Sequence, residues 1–174
     1  IEVDAGLRRI TIYDNAGGIP LEEFPRAFRP AEIPLDTSGL HEFGMGMKSA
    51  SCWFSPLWRV RTSALGEPVE RTVTFDLSRI VNDELEELGV AQKKVSADVH
   101  YTVIELENVR TIPVKRTTGK IREHLTDIYR QFLRRGELQL TYQGQELEYE
   151  EPKVLEAPLY NTQLEPTGEE ACTW

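Results

Sequence analysis

Two stretches decide the fold: residues 8–20, RRITIYDNAGGIP, and residues 41–50, HEFGMGMKSA. The first alternates apolar and polar residues as far as Tyr13, as a half-buried strand does, and then becomes polar and glycine-rich. The second places glycines directly before an apolar run, which predicts a tight turn that opens a buried helix at about Met45–Phe54. The sequence is therefore dominated by two glycine clusters, one at a strand end and one at a helix start.

The first cluster places a carboxylate beside a flexible turn. Asp14 ends the strand and is followed by Asn15, Ala16, Gly17 and Gly18. A carboxylate at this position can accept a hydrogen bond from an exocyclic amine such as N6 of adenine. The glycines allow the backbone to approach another group closely. The same residues also make a good turn without any ligand, so this cluster alone leaves both interpretations open.

The second cluster has the chemistry of an anion site. Free N–H groups at a helix start, next to glycines, form a cradle for phosphate. Lys48 adds a positive charge one turn into the helix, and Ser49 adds a hydroxyl. The glycines can instead serve packing alone, and Lys48 can be solvated. The pattern is not a Walker A loop, because Met45 stands at the lysine position, nor a Rossmann fingerprint, because Ser49 stands at the third glycine.

Outside the clusters, hydrophobic periodicity predicts short strands and one late amphipathic helix. This order favours an α+β fold with a mainly antiparallel sheet and helices on one face. Beyond Glu151 the chain is rich in Pro and Glu and weakly patterned. The predicted elements are strands at 1–3 and 8–13, a short helix near Leu21–Phe28 within the Pro-rich segment Pro20–Phe43, strands at Leu57–Ala64, Val69–Leu77 and Tyr101–Leu106, an acidic loop or helix at Leu77–Leu88, a helix at Lys120–Arg135, and a hairpin at Glu137–Glu148.

Composition excludes several functional classes. The chain has 174 residues and a net charge of −9, which argues against nucleic-acid binding through its whole surface. Its three histidines and two cysteines show no metal-ligand or disulfide pattern. Cys52 is predicted to be a buried, reduced thiol, and Trp53, Phe54 and Trp58 are predicted to lie in the core. These features favour a cytoplasmic protein.

The ends and the hydropathy of the chain add further expectations. It contains no signal peptide and no apolar run long enough to span a bilayer, so no membrane association is expected. It does not begin with Met, which suggests a fragment.

Taken together, the two clusters and the Pro-rich segment between them resemble the GHKL ATP-binding fold of gyrase B, the heat-shock-90 chaperone, histidine kinases and MutL. Asp14 matches the adenine-binding Asp of that family, and Gly18 matches the last glycine of its second motif. Gly44 and Gly46 match the last two glycines of the third motif. Thr102, in the run YTVIEL, takes the place of the fourth-motif threonine that joins the Asp–water–adenine network. The continuation KSA is similar to that of MORC-type and related bacterial members.

The resemblance implies a Bergerat-type two-layer sandwich over residues 1–110, with a mainly antiparallel, mixed sheet and helices on one face. Residues 111–174 are then expected to form an extension of a helix plus a hairpin. The implied ligands are ATP or ADP with Mg²⁺. The phosphates would lie on the amides of Gly44–Met47, which include Met45 and Met47, with Lys48 and Ser49 beside them. The segment Pro20–Phe43 is the expected lid.

The chain departs from the family pattern at Ala16, His41 and Tyr101, where the family usually has glycine, and these departures leave the lid geometry open. The family's water-activating Glu and Mg²⁺-binding Asn lie on a helix that precedes the first hairpin. They are expected upstream of residue 1, so no catalytic residue and no metal ligand is assigned here.

The implied function is ATP binding, with hydrolysis, by a domain that couples nucleotide state to lid closure and dimerisation of a larger protein. A homodimer would form through the upstream segment. Three alternatives stay open: a module that senses nucleotide without hydrolysis, a histidine kinase catalytic domain, and a domain that binds no nucleotide. The kinase would also need a phosphoacceptor domain.

Overall fold

The computed structural model describes residues 1–29, 45–82, 88–151, 155–160 and 166–173. Gly44, His41 and most of the predicted lid lie outside the described residues. The elements, in chain order, are β1 (Glu2–Asp4), β2 (Arg9–Asp14), α1 (Phe24–Phe28), α2 (Gly46–Phe54), β3 (Leu57–Ser63), β4 (Val69–Asp76), α3 (Leu77–Val81), β5 (Val90–Lys94), β6 (Tyr101–Glu107), α4 (Lys115–Arg134), β7 (Leu140–Tyr142), β8 (Gln145–Leu147), β9 (Leu155–Tyr160) and β10 (Pro166–Thr173).

Six strands form one sheet in the order β1–β2–β6–β3–β4–β5, and each neighbouring pair is antiparallel. Strand β6 comes later in the chain than β2 and β3 but lies between them in the sheet, so it joins the first hairpin to the strands that follow α2. Three helices pack on one face of the sheet, since side chains of α1, α2 and α3 join the core cluster there. The predicted α+β class and its two-layer arrangement are confirmed.

The core lies on the face of the sheet that carries two rows of apolar side chains. Period-two alternation places every second residue of a strand on the same face. Trp58 of β3 is 1% exposed and stacks on Phe75 of β4, with ring centroids 3.9 Å apart. The first row is Ile10, Leu106, Trp58 and Phe75, and the second is Ile12, Ile104, Val60 and Val73.

The opposite face of the sheet carries mostly polar side chains, with Val103 as a buried apolar exception. Arg59 of β3 donates to Glu105 at 2.7 Å and to Glu107 at 2.8 Å, both on β6. Such alternation is the usual pattern of an antiparallel sheet with one covered face.

Two core predictions on α2 are wrong. Trp53 is 79% exposed, and Phe54 is exposed as well. Met47 and Ser51 are one turn apart on the side of α2 that faces the sheet, and Trp53 projects away from that side. Cys52 is a free thiol that is half-buried against the core rather than fully buried. An apolar run alone therefore gave no indication of which helix face is covered.

Three strands had no sequence signal. The edge strand β5 pairs with β4 through its backbone although all its side chains are exposed. Strands β9 and β10 pair in the region beyond Glu151 that was expected to be weakly patterned. Backbone hydrogen bonds can form a ladder without any apolar alternation, and this accounts for all three.

The late elements follow the prediction more closely. Helix α4 begins five residues earlier than predicted, at Lys115, because Thr117 bonds the Val114 carbonyl and closes a first turn. Strands β7 and β8 form the predicted hairpin. Its turn residues Gln143 and Gly144 have φ angles of 54° and 70°, as a two-residue hairpin turn requires. Within the described ranges, no helix is long and apolar enough to cross a membrane.

We predict that two tryptophan substitutions will differ sharply. Trp58→Ala should lower the free energy of unfolding by about 3–5 kcal/mol, because it opens a cavity in the core. Trp53→Ala should change it by less than about 0.5 kcal/mol, because an exposed side chain loses little packing. Urea unfolding of both variants measures the difference. Similar losses in the two proteins would contradict the observed orientation of α2.

Candidate functional site

The strand register assembles a row of polar side chains across the sheet. Asp14 of β2 is paired with Thr102 of β6, Thr102 with Thr62 of β3, and Thr62 with Arg71 of β4. Each of these residues lies two positions along its strand from the second apolar row. The four side chains, called the polar row below, therefore share a face with the hydrophobic core.

Thr62 and Thr102 form the centre of the polar row. Thr62 is 0% exposed and Thr102 is 8% exposed. The Thr62 hydroxyl donates to the Tyr101 carbonyl at 3.0 Å and accepts from the Ile19 N–H at 2.9 Å. Its oxygen also lies 3.2 Å from the Thr102 hydroxyl oxygen. A buried hydroxyl thus connects β6 to the loop that follows Asp14.

Asp14 lies at the open end of the polar row. Its Oδ1 accepts from the Ala16 N–H at 3.0 Å, which folds the start of the loop into an Asx turn. Among the described residues, Oδ2 has no protein hydrogen-bond partner. Partial burial of the carboxyl group raises the pKa of Asp14, and the Ala16 hydrogen bond opposes that shift only in part. Although the residue has an exposed surface, its charge is incompletely solvated.

Gly18 is required by the protein's own backbone. Its φ is +73°, and a Cβ added there would lie 2.0 Å from the carbonyl oxygen of Ser63. The Leu65 N–H donates to the Gly17 carbonyl at 2.9 Å and holds the loop against the end of β3. The sequence predicted a close approach of the backbone to another group at this turn, and that group is the Ser63 carbonyl at the end of β3.

The start of α2 has the features of an anion cradle. Helix geometry leaves the amides of Gly46, Met47 and Lys48 without intrahelical acceptors, and the first bond runs from the Ser49 N–H to the Met45 carbonyl. No side chain caps this end. A Cβ at Gly46 would meet no atom of the described residues within 4 Å. Packing within the described part of the chain therefore gives no reason for glycine at this position.

The side chains at this end of α2 point in different directions. Met47 packs against the hydrophobic core, so only its amide remains for a ligand. The Lys48 Nζ donates to the Ala27 carbonyl of α1 at 3.0 Å. Ser49 is exposed and borders a separate cavity. In this conformation, Lys48 connects α2 to the helix that begins the predicted lid.

A cavity in the described part of the chain lies away from the polar row. It has a volume of about 600 Å³ and is lined by Ser49, Cys52, Trp53, Phe54, Arg110 and Thr111. The Arg110 guanidinium donates to the Cys52 carbonyl at 2.7 Å and to the Trp53 carbonyl at 2.6 Å. This cation caps the carboxyl end of α2. The cavity thus belongs to the end of the helix opposite to the candidate anion cradle.

Neither Thr62 nor Arg71 was predicted from the sequence. Arg71 is buried, forms an ion pair with Glu67 and lies over the Phe24 ring at 5.8 Å. The Glu67 carboxylate also accepts from the Leu21 N–H at 2.8 Å. On the core face of β3, apolar Trp58 and Val60 are followed by polar Thr62. This change could have pointed to Thr62, but its role becomes clear only when the strand beside β3 is known.

Comparisons with known proteins give a family match. A family model described as histidine kinase-, DNA gyrase B- and HSP90-like ATPase matches residues 1–108. A search of curated protein sequences found no match. The ATPase and transducer domains of DNA topoisomerase II from Balamuthia mandrillaris are 19% identical, with a TM-score of 0.44, over 61% of this chain and 30% of that chain. The Aquifex aeolicus MutL ATPase domain complexed with ADP is 16% identical, with a TM-score of 0.43, over 82% of this chain and 52% of that chain.

We predict that the two adjacent glycines of the loop differ in their tolerance of a methyl group. Gly18→Ala should lower the free energy of unfolding by about 4 kcal/mol or more, because the new Cβ would overlap a backbone carbonyl that cannot move freely. Gly17→Ala should change it by less than about 1 kcal/mol, because a Cβ there has open space. Denaturant unfolding measures both. An equal loss in the two variants would contradict the close approach at Ser63.

Proposed function

The chain belongs to the histidine kinase-, DNA gyrase B- and HSP90-like ATPase family, and we propose that it binds an adenine nucleotide between the polar row and the start of α2. The observation that carries this proposal is the register that sets Asp14 directly opposite Thr102. These are the two positions that match the adenine-reading residues of the family, and they come from segments 88 positions apart in the sequence.

The base is proposed to bind at Asp14. The Asp14 carboxylate uses Oδ1 to hold the Ala16 amide, and Oδ2 remains to accept a hydrogen bond from the adenine amino group. Thr102 supports this contact from the neighbouring strand. Gly18 shapes the loop beside it through its contact with Ser63 and makes no direct contribution to base recognition in this proposal.

The phosphates are proposed to bind at the start of α2, on the amides of Met45, Gly46 and Met47 and on the side chains of Lys48 and Ser49, both of which must turn from their present positions. The open space at Gly46 supports this assignment, because a phosphate oxygen needs close access to the backbone. The partial positive charge of a helix start favours an anion. In this proposal, Lys48 exchanges the Ala27 carbonyl for a phosphate oxygen when nucleotide binds, and Gly44, outside the described residues, completes the cradle.

Mg²⁺ is proposed to arrive with the nucleotide, coordinated by its phosphate oxygens. Among the described residues, no three His, Cys, Asp or Glu side chains lie close enough together to hold a metal ion. No magnesium ligand is assigned to this chain and no reaction step to the ion, because the family's Mg²⁺-binding Asn is expected upstream of residue 1.

Hydrolysis is proposed for the longer protein, with the water-activating Glu supplied from upstream of residue 1. The polar row contains a single carboxylate, Asp14, and its proposed task is base recognition. The segment Pro20–Phe43 is the proposed lid, and its closure is proposed to promote homodimerisation of the longer protein. The proposed location is the cytoplasm. A chain that binds nucleotide but hydrolyses it no faster than buffer would favour a sensing module for this part of the protein.

We predict that Asp14→Asn will weaken binding of Mg²⁺–ADP by at least about 100-fold in calorimetric titration. The amide loses the charged acceptor, a contact that contributes about 1.5–3 kcal/mol, and turns an N–H donor toward the donor on adenine. Asp4→Asn is the matched control, because the Asp4 Oδ1 likewise accepts from a turn amide, that of Leu7 at 2.9 Å. Unchanged affinity in Asp14→Asn would contradict the assignment of the base site.

Asp14→Asn should weaken nucleotide binding without lowering the stability of the folded protein. Because burial raises the pKa of Asp14 in the folded protein, its charged form opposes folding above that pKa and the neutral form does not. Asp14→Asn should therefore be at least as stable as the parent at neutral pH. Its advantage should shrink as the pH falls through the raised pKa, and thermal unfolding measured against pH checks the sign. A clear loss of stability at neutral pH would contradict this electrostatic account.

We predict that Gly46→Ala will fold normally and bind ADP at least about tenfold more weakly. The methyl group meets no protein atom of the described residues but stands where a phosphate would approach. Gly119→Ala is the control, since Gly119 also lies in a helix with open space around its Cβ. Both changes replace glycine by a better helix former, which should stabilise the helix by up to about 1 kcal/mol. Equal ADP affinity in Gly46→Ala and the parent would exclude the phosphate cradle.

A further inference from the structure

The contacts of the Thr62 hydroxyl determine the direction of a chain of hydrogen bonds in the polar row. A hydroxyl group has one proton and two acceptor lone pairs. Thr62 Oγ1 has three partners: the Tyr101 carbonyl at 3.0 Å, the Ile19 N–H at 2.9 Å and the Thr102 hydroxyl at 3.2 Å. The carbonyl can only accept and the amide can only donate. All three contacts are satisfied only if the Thr62 proton goes to Tyr101 and Thr102 donates to Thr62.

This direction has a consequence for Thr102. Its single proton is directed inward, toward a fully buried oxygen, so its oxygen can present only lone pairs toward Asp14. The ionised Asp14 carboxylate also presents only acceptors. The open end of the polar row therefore offers acceptors from two neighbouring strands and no side-chain donor from either threonine.

We propose that Thr62 is a positioning residue that fixes Thr102 as an acceptor and so makes the pocket selective for a base with an amino group at the position facing Asp14. This inference rests on the proposed function, because it concerns the base end of the same site. Thr62 is buried and acts through Thr102, without touching the nucleotide.

The chemical contrast is between an amino group and a carbonyl at the purine position facing Asp14; the adjacent ring nitrogen changes with it, from an acceptor in adenine to an N–H donor in hypoxanthine. Adenine carries an amino group there, which donates to Asp14. Hypoxanthine carries a carbonyl oxygen in its place, and that oxygen faces the lone pairs of Asp14 and Thr102. Sites that leave buried polar groups unpaired discriminate strongly against such analogues. With the Thr62 acceptor removed, the Thr102 hydroxyl becomes free to rotate and donate to the hypoxanthine oxygen.

A purely structural role for Thr62 makes a different prediction. The Thr62 hydroxyl also holds the Ile19 amide, beside Gly18, so its loss loosens the loop. Such loosening weakens ADP and inosine diphosphate by the same factor and leaves the ratio of their dissociation constants unchanged. The ratio therefore separates control of hydrogen-bond direction from support of the loop.

The test is calorimetric titration of Mg²⁺–ADP and Mg²⁺–inosine diphosphate into the parent chain, Thr62→Val and Thr62→Ser. Thr62→Val keeps the side-chain volume and removes the hydroxyl, whereas Thr62→Ser retains it. We expect the parent to prefer ADP, Thr62→Val to reduce the preference at least about tenfold, and Thr62→Ser to keep it. Thr74→Val, at an exposed position of β4, is the matched control and should leave the ratio unchanged.

The outcomes separate this inference from the proposed function. A preference that is unchanged in Thr62→Val, or lost equally in Thr62→Ser, overturns the role of Thr62 while Asp14-dependent ADP binding persists. Absence of ADP binding in the parent, or full binding by Asp14→Asn, overturns the proposed function and this inference with it. If Thr62→Val does not fold, Thr62→Cys replaces the hydroxyl by a weakly bonding thiol, and the same ratio decides.

Discussion

The register of β2 against β6, and of β6 against β3, constrains everything at the open end of the sheet. It sets Asp14 opposite Thr102 and Thr102 opposite Thr62, on the face that also carries the core. A slip of one residue would turn Asp14 to the polar face and bring Tyr13 into its place. The two apolar rows that cross β2, β6 and β3 oppose such a slip, because it would turn the side chains of the slipped strand out of the core. Core packing thus holds the candidate site in position from a distance.

The polar row places a charged group in a partly buried position, at an electrostatic cost that the two apolar rows of the same face do not carry. The polar row continues a face whose first two rows are apolar, and it contains a carboxylate whose pKa is raised by incomplete solvation. Next to it, Arg71 is buried and needs Glu67 as its partner, and Glu67 in turn holds the Leu21 amide. Departures from an apolar core are typical of functional sites. Here they link the base end of the site to the first residues of the proposed lid.

Part of this arrangement could be predicted from the sequence, and the reason differs between residues. Asp14 and Thr102 could be named as candidates because motif spacing is a local property of each segment. Gly18 was found as well, although the group that it approaches, Ser63, could not be named. Thr62 was not found, because its importance arises only when β6 is inserted beside β3. The exposure of Trp53 was missed for a similar reason: a helix of apolar residues does not show which side meets the sheet.

The central claim is that the polar row and the start of α2 form one nucleotide site, and an amide-resolved NMR titration tests it most directly. Adenosine should shift the amides of residues 14–19 and 102 alone, and ADP should shift these together with the amides of Gly46, Met47 and Lys48. That result would place base and phosphates at the two ends of a single site. Shifts centred instead on Trp53 and Arg110, around the cavity at the far end of α2, would contradict the account.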